Sequence, residues 1–97
     1  LENPSIDGIF AINDYEALDV LAVLTELGRK VPEDVQVLGC DGIKMSAERE
    51  YVVSTIKQPT EAMAKSAVDM VLALAAGEET VKEQLLDVSY IKYQTTK

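Results

Sequence analysis

The chain has 97 residues and a formal net charge of −8, with 9 Lys and Arg against 17 Asp and Glu. That balance excludes a phosphate-binding nucleic-acid surface within these residues, because such affinity comes mainly from basic side chains that release counterions. The lack of His removes imidazole base catalysis, Cys-His and Ser-His-Asp nucleophiles and His-containing zinc sites. A hydrophobic content of 47% suits a folded domain rather than a disordered acidic tail.

In chain order, Ile6 to Ile12 form a short apolar run, as expected of a strand buried on both faces. Asn13-Asp14 follows, and either residue can cap a helix over Tyr15–Leu27, which Gly28 stops. That helix is apolar over more than one stripe. Ala17, Val20, Leu24 and Leu27 can face a sheet, leaving Leu18, Leu21 and Ala22 for a second partner. After the turn at Pro32–Asp34 comes a second strand, Val35–Gly39, ended by Cys40-Asp41-Gly42. Met45–Tyr51 reads as a short charged helix and Val52–Ile56 as a third strand, closed by Lys57-Gln58-Pro59. Thr60 is the expected N-cap of a helix running to about Ala76. That helix carries Met63, Ala67, Met70, Val71 and Leu74 on one face, with Gly77 as its stop. A charged connector leads to a last strand over Gln84–Tyr93.

This order predicts an α/β fold, a mostly parallel sheet with flanking helices, in a single unit spanning 1–97. Parallel strands bring their carboxyl ends to one edge, where open α/β sheets bind ligands. Three strands end there in polar residues: Asn13-Asp14, Asp41-Gly42 and Gln58. Amides that donate and accept, beside a carboxylate that accepts from adjacent hydroxyls, suit a neutral, hydroxyl-rich small molecule. Simpler roles compete for each: a helix cap at Asn13 or Asp14, a turn at Asp41-Gly42, a helix start at Gln58-Pro59. Asp14 with Asp41 could instead hold Mg²⁺ in a phosphoryl-transfer or receiver-like domain, but no phosphate cradle or essential Lys accompanies them. No catalytic residue, metal site or cofactor is expected. Cys40 cannot form an intrachain disulfide, in keeping with a reducing cytosol, and no apolar run reaches the roughly 20 residues of a membrane span. The start at Leu1-Glu2-Asn3-Pro4 reads as an excised or processed end.

The stretches Asp7–Asp14, Ala17-Leu18, Gly28–Val35, Val37–Asp41, Ser54–Pro59 and Leu85–Ser89 with Thr95-Thr96 resemble the LacI/GalR family of bacterial transcription repressors. The resemblance implies a periplasmic-binding-protein-like (type I) effector domain of two lobes, of which 1–97 would be a partial C-terminal lobe. The DNA-binding head and N-terminal lobe would lie outside it. It implies that Asn13, Asp41 and Gln58 contact a small effector, most simply a sugar. It further implies that Leu18, Leu21, Ala22 and Met45 lie in a dimer interface, with Asp14 capping its helix. Cys40, where many members carry Phe or Tyr, and Thr60, where an aromatic can occur, reduce the surface for stacking on a sugar. Gly42 is common instead in solute receptors of the same fold. The function implied is a cytoplasmic, sugar-responsive regulator that meets DNA only through its head. A lobe of an extracytoplasmic sugar-binding transport protein is the alternative.

Overall fold

The computed structural model describes residues 3–44 and 51–97. Strand β1 (Gly8–Phe10) leads into helix α1 (Asp14–Glu26), followed by β2 (Gln36–Asp41), β3 (Ser54–Lys57), helix α2 (Thr60–Ala75) and β4 (Ser89–Ile91). The four strands lie in sequence order in one sheet. β1–β2 and β2–β3 pair in parallel, with Phe10 opposite Leu38 and Asp41 opposite Lys57. β4 runs antiparallel to β3, with Ile56 opposite Tyr90. The expected α/β architecture is therefore present as an open mixed sheet. The last strand is much shorter than Gln84–Tyr93, and Met45 to Glu50 of the expected charged helix lie outside the described residues.

The core sits between α1 and one face of the sheet. Ala17 and Leu24 of α1 close over Val35, Val37 and Val53, all almost fully buried, with Ile9, Leu18, Val20 and Leu21 packed around them. Leu27, expected to face the sheet, is 49% exposed instead because the helix ends there. Both helices stop in the same way. The Gly28 and Arg29 amides donate to the Thr25 and Leu24 carbonyls, and those of Gly77 and Glu78 to Leu74 and Ala73. Each glycine takes a positive φ, 71° and 75°, that an L side chain resists.

The other sheet face is open. Phe10 and Tyr90 are more than half exposed, so β1 is covered on one side only, unlike the doubly buried strand expected from its apolar run. More pronounced is α2, which has no buried residue and stands clear of the sheet. The segment after it folds back along the helix, with Leu86 near Met63, Ala67 and Met70. The Cα radius of gyration is 18.1 Å and the molecule measures 59 × 32 × 19 Å. A compact chain of this length would have a radius of about 12 to 13 Å.

The last residues fasten the amino-terminal end of the sheet. Thr95 Oγ1 donates to the Val37 carbonyl (2.7 Å) and accepts from the Ser54 amide (2.9 Å), while its own carbonyl accepts from the Val37 amide (2.9 Å). Ser54 Oγ accepts from the Tyr93 amide and lies 2.7 Å from Thr96 Oγ1.

Candidate functional site

Because β1, β2 and β3 are parallel, their carboxyl ends reach the same edge, and the polar residues that follow each strand gather there. Asn13 is the N-cap of α1: its backbone is extended and its Oδ1 accepts from the Glu16 amide at 2.8 Å. That bond satisfies one of the orphan amides of the first turn and uses only the Oδ1 of the side-chain amide. The N-cap expected of Thr60 is absent. Pro59 precedes α2 without a side-chain cap bond, and Thr60 is already helical.

Asp14, expected to cap α1, does something else. It is 1% exposed, and both its oxygens accept hydrogen bonds from other segments. Oδ1 takes the Thr55 hydroxyl at 2.7 Å and Oδ2 the Ile43 amide at 2.6 Å. Thr55 Oγ1 in turn accepts from the Gly42 amide at 3.2 Å. A carboxylate with two lone pairs on each oxygen bridges donors in this way, and burial makes each such bond costly to leave unmade. Gly39 makes the space: a Cβ there would lie 2.2 Å from Asp14 Oδ1.

Asp41 ends β2 with a φ of +102°, a left-handed conformation uncommon outside glycine, and Gly42 continues it at +76°. A Cβ on Gly42 would meet Lys57 Cγ at 2.8 Å, so both conformation and close approach require glycine. From this turn the Asp41 carboxylate reaches across to the residue just after β3, where Gln58 Nε2 donates to its Oδ1 at 2.5 Å. Asp41, Gln58 and Asn13 are all half-buried. Two of the three expected site residues thus touch directly. Asn13 sits one residue from Asp14, which bonds to the stretch just after Asp41. A recess of about 400 Å³ adjoins this edge, lined by Lys57, Gln58, Pro59, Thr60, Glu61 and Ala62. Thr55 and Gly39 were not among the sequence candidates. A hydroxyl in mid-strand and a glycine two residues before an Asp were the available signals.

Cys40 is only partly exposed on the open sheet face. Burial first, and the neighbouring Asp41 carboxylate second, push its thiol above the ordinary value, opposite to the shift that activates a thiol. Among the described residues no group of three or more His, Cys, Asp or Glu could hold a metal ion, and no helix is long and apolar enough to cross a membrane.

Of the expected interface residues, Leu18 and Leu21 are half-buried against the core and Ala22 is exposed, while Met45 lies outside the described residues. Beside them Tyr15 and Val23 are more than half exposed.

Residues 2–96 match the periplasmic binding protein-like domain family. The chain is 36% identical over 95 residues to the ribose operon repressor of Bacillus subtilis, covering 97% of this chain and 29% of that protein. It is 36% identical over 84 residues to the lactose operon repressor of Escherichia coli, covering 87% of this chain and 23% of that repressor. Among solved structures, the LacI family transcriptional regulator from Arthrobacter sp. FB24 in complex with lactose superposes with a TM-score of 0.81 at 33% identity, over 99% of this chain and 37% of that one. The chain thus spans less than a third of the length of either repressor. Sequence, fold and topology agree: the chain belongs to the periplasmic binding protein-like domain family, in the form that LacI-family transcriptional regulators carry as their effector domain.

Proposed function

We propose that this chain supplies one wall of an effector cleft in a sugar-responsive transcriptional regulator, and that Asn13, Asp41 and Gln58 bind the effector. The observation that carries this reading is the hydrogen-bonded Asp41–Gln58 pair at the carboxyl ends of β2 and β3, the sheet edge that Asn13 also follows as the cap of α1. A carboxylate, an amide carbonyl and an amide donor offer neutral, hydroxyl-bearing ligands both acceptors and a donor without a strong anion preference. The lactose complex of the Arthrobacter regulator supports a sugar as the ligand class.

The rest of the cleft belongs to a second lobe. The chain leaves the sheet at Gln58-Pro59, makes α2 away from it, and returns as β4. The unburied helix and the bare sheet face fit an excursion that packs on parts of a longer protein. In that protein the second side of α1, with Leu18, Leu21 and Ala22, and with Met45 beyond the described residues, forms the dimer interface. Operator binding resides in another part, as the −8 charge requires, and the protein works in the cytoplasm. An effector changes operator affinity only through different affinities for the two states of the dimer.

The test is calorimetric titration of the whole protein that carries this chain with ribose, lactose and cellobiose. At least one sugar is expected to bind. Asn13→Ala, Asp41→Ala and Gln58→Ala are each expected to weaken it by about tenfold or more, as loss of a hydrogen bond to a charged or buried group does. No binding across these sugars and a wider panel, or full affinity in all three variants, overturns the reading.

A further inference from the structure

We propose that Asp14 and Thr55 are positioning residues for the effector site: together they hold the left-handed turn that aims the Asp41 carboxylate. This rests on the reading of Asp41 as an effector contact. The turn at Asp41-Gly42 is strained. Two successive residues have φ of +102° and +76°, and the first carries a side chain. A side chain held in that region persists only where its surroundings impose it. The surroundings are two bonds aimed at the next two amides of the backbone. Thr55 Oγ1 receives the Gly42 amide and Asp14 Oδ2 the Ile43 amide, while the Thr55 hydroxyl closes the set on Asp14 Oδ1.

The three residues belong to three segments. Asp14 opens α1, Thr55 lies in β3, and the turn begins at the last residue of β2. Asp14 is too buried to touch an effector, and Gly39 is bare where a side chain would displace its carboxylate. A helix cap would not need that arrangement, since Asn13 already provides the cap. Asp14 therefore acts on the ligand through Asp41. By sitting next to Asn13 it also fixes the spacing between two of the three effector contacts.

The experiment compares Asp14→Asn, Thr55→Val, Thr55→Ser and Asp41→Asn, and the double variant Asp14→Asn/Asp41→Asn, in the whole protein. Affinity for ribose, lactose and cellobiose is measured by calorimetry, and amide exchange of the peptide containing Gly42 and Ile43 by mass spectrometry. Asp14→Asn and Thr55→Val should each weaken the sugar that binds by about tenfold and speed exchange at Gly42 and Ile43 by a similar factor, while Thr55→Ser restores both. The decisive reading is the double variant, expected to bind within about twofold of Asp41→Asn alone, because a residue acting only through Asp41 has nothing left to position. Multiplying losses in the double variant, unchanged affinity in Asp14→Asn, or unchanged exchange at Gly42 and Ile43 each overturn the proposal. If the unsubstituted protein binds no sugar, the effector reading falls. Exchange then decides by itself whether Asp14 and Thr55 hold the turn.

Discussion

Thr95 makes three hydrogen bonds in a space where it is 6% exposed, and two of them use its hydroxyl. Thr95→Val keeps the shape but leaves the Ser54 amide and the Val37 carbonyl without that partner, at a cost of about 2 kcal/mol or more. Thr95→Ser should cost less than half as much, with urea denaturation as the measurement. Cys40 gives a second expectation. Its upward shift means that the folded state favours the protonated thiol. That contribution to stability is complete at pH values below the titration of an unfolded thiol and is lost as pH rises through the folded value. At pH 8, iodoacetamide should alkylate Cys40 more slowly in the folded chain than in the chain unfolded in urea; equal rates would show the thiol to be unprotected. Neither residue could be understood from the sequence alone. Thr95 lies in a short polar ending after the last strand, and its partners are 41 and 58 residues away. By contrast, Asp41 and Gln58 were legible, because residues at the ends of parallel strands share an edge whatever the loop lengths between them.

At the scale of elements, the two helices differ in what the sequence can say about them. α1 was readable in its boundaries and its inward face, since Ala17, Val20 and Leu24 repeat at helical spacing and Gly28 marks the stop. The boundaries of α2 were equally plain, yet its packing was not. An apolar stripe shows that a helix wants a partner but not which surface provides it. Here Val71, Leu72 and Leu74 are each more than 60% exposed. The antiparallel direction of β4 was hidden for a related reason. A strand after a helix reads as the next parallel strand unless the chain spends the intervening residues elsewhere, as α2 and the segment behind it do. The 97-residue chain by itself is accordingly expected to self-associate at high concentration through α2. Val71→Lys with Leu74→Lys should shift it toward monomer in sedimentation velocity; an unchanged distribution would place the sticky surface elsewhere, the open sheet face being the next candidate.

The molecule as a whole is a half-covered sheet with a helix held off to one side, which is why its radius exceeds that of a compact chain so widely. Fold class was legible here because alternation of strand and helix constrains topology strongly. That 1–97 is part of a larger effector domain was legible too, from the resemblance, but which of its surfaces lie bare was not, because a sequence carries no mark for surfaces that other residues cover. The latch at Thr95 gives this layout an order in time. The amino-terminal ends of β2 and β3 are joined by a residue that lies beyond the entire excursion through α2. On the ribosome, α1 can therefore dock on β1 and β2 early, while the β2–β3 seam stays unsealed until synthesis has passed Thr95. A nascent chain stalled within α2 would expose that open seam, and it is at this stage that strand pairing with a neighbouring chain competes with folding.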